Sequence, residues 1–375
     1  MHFLKERATV IYSELSEVCR RNVRDLSGIH FKEGFFITPE EAAGSETAPF
    51  SPFDERAVWS VNDPHAWFTA DFTVPDELDG RQLMFSFSTQ ENGWDAINPQ
   101  FLFFLDGKIT QGVDVNHREV LVSEKAEAGR RYKLDLQAYA GRSEKPLAFN
   151  AKYFEFLPSV YGLMMDIKTA VHVLEKLDKN APACYRLENA LTGILNLIDL
   201  RDPDSPAFLS SVDEARALAA QTLYGEHLNV IATAIGHTHI DVAWWWTVEQ
   251  TREKAARSFA TAVKLIEEYG GEGFKFQSSQ PQLYKFVAER YPELYAKIKT
   301  LVAEGKWEAE GGMWLEADCN LTSGESLVRQ FLHGKNFFKE AFGVDNKILW
   351  LPDVFGYSAA LPQIMRKSGI QYFMT

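Results

Sequence analysis

Residues 228–246 read LNVIATAIGHTHIDVAWWW. The first eight are apolar apart from Asn229 and Thr233, a pattern that predicts a buried strand over 228–235. Polar residues then begin abruptly. Side chains at i, i+2 and i+4 of an extended segment point the same way, so His237, His239 and Asp241 share one face at the carboxyl end of that strand. TREKAARSFATAVKLIEEYG (251–270) follows as a long helix. The alternation then repeats. FKFQSSQ (274–280), KWEAEGG (306–312), KILWLPD (347–353) and IQYFMT (370–375) read as strands. Between them lie the helical stretches 281–305, broken at Pro292, 324–343 and 358–369. Strands separated by helices predict parallel pairing, hence an α/β sheet or barrel. Active sites in such folds lie at the carboxyl ends of the strands.

The residues upstream read differently. MHFLKERATVIYSELSEVCRR opens an amphipathic helix over about residues 1–25, and an irregular arm follows to residue 55. From 56 to 155, AWFTADFTV (66–74), RQLMFSFST (81–89) and YKLDLQAYA (132–140) alternate as half-buried strands do. QFLFFLDGKITQGV (100–113) is two strands around Asp106-Gly107, a strong hairpin signal. These short strands predict an antiparallel β-sandwich. Residues 156–226 return to helical periodicity, in 163–177, 186–200 and 212–225. The expected fold class is therefore multidomain α and β. Its parts are an N-terminal helix and arm (1–55), a β-sandwich (56–155), a helical connector (156–226) and a strand–helix unit (227–375). The chain stops inside an apolar strand, which is the expectation for a fragment of a longer protein.

Composition narrows the function. At about 150 residues per domain, 375 residues make two to three domains. The net charge of −13 argues against a polyanion as main ligand, so no nucleic-acid partner is expected. No run of about 18 uncharged apolar residues exists, so no membrane span is expected. Cys19, Cys184 and Cys319 are scattered, without a Cys-x-x-Cys pair, and the first residues lack a secretory apolar core. A cytoplasmic setting is the simplest inference. Phosphate-binding glycine loops and a Gly-x-Ser-x-Gly elbow are absent from the sequence.

Three clusters carry chemistry, each following a predicted strand. The first, GHTHIDVAWWW (236–246), joins imidazole and carboxylate, a donor set suited to Zn²⁺ or a related divalent ion. A capped strand end would use the same residues. Trp244, Trp245 and Trp246 offer a platform for the apolar face of a sugar or serve as core. The second, EGGMWLEADCN (310–320), puts Trp314, Glu316, Asp318 and Asn320 on one face, either to recognise hydroxyls or as a solvated loop around a buried Trp. In the third, WLPDVFGYS (350–358), Asp353 stands either as a catalytic group or as a helix N-cap.

Together GHTHIDVAWWW, EGGMWLEADCNLTSGESLVRQF and LWLPDVFGYSAALPQIMRKSGI resemble glycoside hydrolase family 38 α-mannosidases, of the cytosolic type and its bacterial relatives. PQFLFFLDGKITQGVDVNHREVL (99–121) resembles the N-terminal β-domain of that subgroup. The resemblance covers about residues 60–375 and implies that 227–375 is the first half of a parallel β/α barrel, a truncated catalytic domain. It implies one Zn²⁺ per active site, weakly held or absent in a fragment, with His239, Asp241 and Asp353 among its ligands. It makes Asp353 the nucleophile as well, and Trp244 the residue flanking the sugar, with Trp314 and Asp318 as further substrate contacts. His237 is kept as a support for the ligands. A further histidine ligand and the general acid/base lie later in the family's sequence. The implied activity is zinc-dependent, retaining hydrolysis of terminal α-mannosyl residues, by the full-length protein and not by this fragment. The implied partner is a mannose-containing oligosaccharide, and homo-oligomerisation of the full-length enzyme stays open.

Two other classes compete. A zinc amidohydrolase or deacetylase also uses His-x-His after a barrel strand. A carbohydrate-binding module would instead present Trp59, Trp67 and Trp94 on the sandwich, although core packing of these indoles is the better expectation.

Overall fold

The computed structural model describes residues 3–46, 49–54, 57–89, 99–223 and 233–375. Helix α1, Leu4–Val18, buries Leu4, Ala8, Ile11 and Leu15, one stripe at helical spacing. It ends earlier than the periodicity predicts. The chain turns at Cys19 into strand β1, Arg20–Asp25. The arm expected after it is also more regular than its composition suggests. It contains β2, His30–Glu33, helix α2, Pro39–Gly44, and β3, Ser51–Pro52.

Seven further strands follow: β4, His65–Thr73; β5, Leu83–Ser88; β6, Gln100–Leu105; β7, Lys108–Val113; β8, Glu119–Ser123; β9, Arg131–Tyr139; and β10, Asn150–Phe156. They form two antiparallel sheets, ordered β1-β10-β5-β8 and β3-β2-β4-β9-β6-β7. The sheets share an apolar core in which Phe68 stacks on Phe149 at 4.1 Å and Phe87 meets Phe103 at 5.4 Å. The sandwich expected over 56–155 is thus present, and it draws β1, β2 and β3 from upstream. Asp106 and Gly107 both take positive φ (49° and 77°), the left-handed pair that a two-residue hairpin requires. Trp59 and Trp67 are fully buried, so neither offers a sugar platform; Trp94 lies outside the described residues.

Part of the outer face of the six-stranded sheet is buried as well. Phe101 and Phe103 point into the sandwich, while Leu102 and Phe104 join Trp67 in a second core, shared with the strand–helix unit. That is why residues 101–104 run FLFF with no polar alternation.

Helices α3, Pro158–Leu174, α4, Pro182–Leu197, and α5, Pro206–Thr222, each begin with proline, whose fixed φ and missing N–H suit a first turn. With α1 they enclose a third core around Leu163, Ile167, Ile194, Phe208 and Val212.

Beyond residue 233 the elements are β11, Gly236–His237; α6, Val248–Tyr269; β12, Phe276–Ser278; α7, Pro281–Arg290; α8, Pro292–Ala303; β13, Trp307–Ala309; α9, Gly324–Phe342; β14, Ile348–Trp350; α10, Leu361–Lys367; and β15, Tyr372–Met374. Strand β11 starts one residue after the stretch expected to be a strand; positions 228–232 of that stretch lie outside the described residues. Pairing is parallel throughout, in the order β11-β12-β13 and, separately, β14-β15. The amide of Trp350 donates to the carbonyl of Gly311 (3.3 Å), and Glu310 accepts from the amides of Lys347 and Ile348 (2.9 Å each). These bonds carry the line of strands from β13 to β14. The described strands form no closed barrel.

The sandwich meets this unit most closely where β7 crosses α6. A Cβ on Gly112 would come within 2.5 Å of the Arg257 carbonyl oxygen and 2.9 Å of Thr261 Oγ1. Backbone cannot yield there as a side chain would. Gly112→Ala is expected to cost about 1–3 kcal/mol through overpacking, read as a lower denaturant midpoint. An unchanged midpoint would show that the two units part without penalty.

Candidate active site

The site is assembled at the carboxyl ends of β11, β13 and β14. His239 and Asp241 lie just past β11, and Asp353 lies three residues past β14. His239 Nε2 is 3.3 Å from Asp241 Oδ1 and 3.5 Å from Asp353 Oδ2. One ligand atom from each of the three residues lies within 4.8 Å of the others. Zinc sits about 2.0–2.2 Å from nitrogen and carboxylate oxygen, so neighbouring tetrahedral ligands are about 3.3–3.5 Å apart. The spacing and the imidazole-plus-carboxylate donor set are therefore compatible with a metal ion.

The other nitrogen of His239 is also taken. Its Nδ1 lies 2.5 Å from Glu316 Oε2, and the Glu316 side chain is only 4 % exposed. Ser279 Oγ donates to Glu316 Oε1 at 2.7 Å, and the Glu316 amide donates to Gln280 Oε1 at 3.3 Å. Sequence reading placed Glu316 on the same face as Trp314 and Asp318 but gave it no partner. The hydrogen bond spans 77 positions, which no local pattern reports.

His237, the first histidine of the motif, faces elsewhere. It donates through Nδ1 to the Gln277 carbonyl (3.1 Å), and its Nε2 accepts from Trp350 Nε1 (3.2 Å). Both ring nitrogens are committed, and the ring ties β11 to β12 and β14.

The tryptophans divide. Trp246 donates to the Asp241 carbonyl (3.3 Å) and to Thr251 Oγ1 (3.1 Å), which fixes the loop. Trp244 is 67 % exposed, edge-on to Trp245 and Trp246. The turn that projects it uses Ala243 at φ 89°, held by a hydrogen bond from the Ala243 amide to Thr251 Oγ1. From the sandwich, the Arg142 guanidinium lies 5.5 Å over the Trp245 ring. Trp314 donates to Gln282 Oε1 (3.2 Å) and packs edge-on against Phe337. Asp318 Oδ1 accepts from the amides of Asn320 and Leu321, so this carboxylate anchors its own loop.

The residues just described match known proteins. Residues 229–375 match the model of the Glycosyl hydrolases family 38 N-terminal domain. Alpha-mannosidase 2C1 of Mus musculus is 31 % identical over 365 residues, which cover 91 % of this chain and 33 % of the mouse protein. Alpha-mannosidase G of Dictyostelium discoideum is 45 % identical over 46 % of this chain and 16 % of its own length. Alpha-mannosidase of Saccharomyces cerevisiae is 44 % identical over 38 % of this chain and 13 % of its own. The chain thus spans about a third of the mouse relative it matches along most of its length. Residues 229–375 are thus assigned to the glycosyl hydrolases family 38 N-terminal domain.

The electrostatics of the cluster can be tested directly. Glu316, Asp241 and Asp353 surround one imidazole. The hydrogen bond to Glu316 raises the pKa of His239 to about 9; burial opposes it, and the charges of Glu316 and Asp241 add to it. The folded value lies above the unfolded value of about 6.5. In cation-free protein the His239 proton therefore contributes stability that is complete below pH about 6.5 and lost as pH rises through about 9. Urea midpoints of chelator-treated wild type and His239→Gln should converge across that window. A constant difference would remove the coupling.

Proposed function

We propose that the whole protein is a zinc-dependent, retaining α-mannosidase acting on terminal α-mannosyl residues of oligosaccharides in the cytoplasm. The observation that carries this reading is the convergence of His239, Asp241 and Asp353 at the strand ends of a family 38 domain. In this reading residues 227–375 form the first part of a parallel β/α barrel, and the sandwich and helical connector support it. His239, Asp241 and Asp353 would hold the Zn²⁺, which when bound supplies a Lewis-acid grip on sugar hydroxyls.

The protein's own groups do the rest. The Asp353 carboxylate is half exposed, so a substrate can reach it. It attacks the anomeric carbon, and retention follows from the double displacement. Trp244 stacks on the sugar ring. Trp314 and Asp318 line its surroundings, Asp318 through the oxygen that does not anchor its loop. Protonation of the leaving oxygen needs a second carboxyl group, which none of the described residues is assigned to supply. The 375-residue chain alone is therefore expected to show no turnover.

The competing classes fit less well. An amidohydrolase binds metal through both histidines of His-x-His, yet His237 has both nitrogens committed to Gln277 and Trp350. A sugar-binding sandwich would need exposed indoles, yet Trp59 and Trp67 lie in the cores.

The test is release of chromophore from an aryl α-mannoside by the whole protein, with and without chelator. Asp353→Asn is expected to lower turnover by several orders of magnitude while sparing the fold, since an amide is nearly isosteric but a poor nucleophile. Near-normal turnover of that variant would overturn the assignment.

A further inference from the structure

We propose that Glu316 is a positioning residue for the metal site: it locks the His239 ring so that Nε2, and not Nδ1, faces Asp241 and Asp353. The inference rests on the reading of this cluster as a metal centre. Nothing in the family match assigns Glu316 a role.

Glu316 sits among buried polar neighbours. Ser279 and Gln280, immediately beyond β12, are each only 3 % exposed, although both are polar. Both point at Glu316: Ser279 Oγ meets Oε1, and Gln280 Oε1 receives the Glu316 amide. Gln280 also donates through Nε2 to the Ile240 carbonyl at 2.9 Å, in the middle of the His239–Asp241 segment. One side chain thus ties the backbone of the ligand segment to the backbone of the residue that grips the ligand. The two strand ends come close enough because residue 311 is glycine, where a Cβ would lie 2.2 Å from the Ser279 carbonyl oxygen.

A carboxylate so placed has one available task. Its Oε2 faces His239 Nδ1 at 2.5 Å, within hydrogen-bond reach of the ring N–H. A neutral imidazole then carries its proton on Nδ1 and directs the Nε2 lone pair at the other two carboxylates. Glu316 is not itself in the ligand cluster. A carboxylate behind a metal-binding histidine fixes the tautomer and ring orientation and raises ligand basicity, and its loss usually costs 10- to 100-fold in metal affinity.

The experiment titrates the whole protein with Zn²⁺ up to millimolar concentration against a chelating dye. Glu316→Gln, Glu316→Ala and Ser279→Ala are compared with wild type. Glu316→Gln keeps shape and a hydrogen-bond acceptor and should lose about tenfold; Glu316→Ala should lose about a hundredfold, and Ser279→Ala less than either. The second readout is the ¹⁵N NMR signature of His239 in Zn²⁺-loaded protein. Wild type should show a single Nδ1–H tautomer, and Glu316→Ala a mixture. A purely structural role would lower stability without changing the tautomer. Wild-type binding with unchanged affinity in both Glu316 variants overturns this proposal alone. Absence of Zn²⁺ binding by wild type removes the metal reading, and this proposal with it.

Discussion

Parallel registration of β11, β12 and β13 is the constraint on which the site depends. Gly236 pairs with Phe276 and Phe276 with Trp307; His237 pairs with Gln277 and Gln277 with Glu308. Equal steps along each strand therefore reach equal heights. Two residues past the last described pair of β11 stands His239, and two past Gln277 stands Ser279. His239, Asp241, Ser279 and Glu316 come from this edge or from the loops that leave it, and Asp353 from the loop past β14. Parallel strands also leave their ends without hairpin partners, so side chains must take up the backbone groups there. His237, Gln280 and Glu310 each do so, and each thereby ties one strand end to another.

The sandwich contributes through its outer face. A six-stranded sheet with one wet face would have tethered the strand–helix unit loosely. Here Trp67, Leu102 and Phe104 enter the same core as Ala256, Phe259 and Val263 of α6. Helix α6 in turn starts at Thr247, whose side chain caps it reciprocally with Gln250, directly after the tryptophan loop. The sandwich thus fixes the helix, and the helix fixes the loop through Thr251, which accepts from both Ala243 and Trp246.

Much of this was legible because the period of the pattern matched the element. The strand ends bearing His239, Asp241 and Asp353 could be located from apolar runs stopping at polar residues, and Asp106-Gly107 marked the hairpin between β6 and β7. Strand β1 was not legible. RRNVRD carries four charges and one apolar side chain, and its middle and end are exposed at a sheet edge. An edge strand is held by backbone hydrogen bonds, which leave no mark on hydrophobic periodicity. Strands β2 and β3, of four and two residues, are too short for any period to register. For Asp318 residue type alone leaves the use open, because an Asx-type loop anchor and a sugar contact call for the same residue.

Charge explains why the histidine is held from both sides. Three carboxylates around one imidazole leave a surplus of negative charge even when that ring is protonated. Glu316 is buried, so its charge cannot be relieved by water as that of half-exposed Asp353 can. In the cation-free state the hydrogen bond from His239 to Glu316, helped by Asp241 and opposed by burial, raises the pKa of His239 to about 9. On the proposed reading, a divalent ion at Nε2 would offset more of this surplus than a proton does and would leave the Nδ1 proton in place for Glu316. The buried carboxylate would then be satisfied in both states.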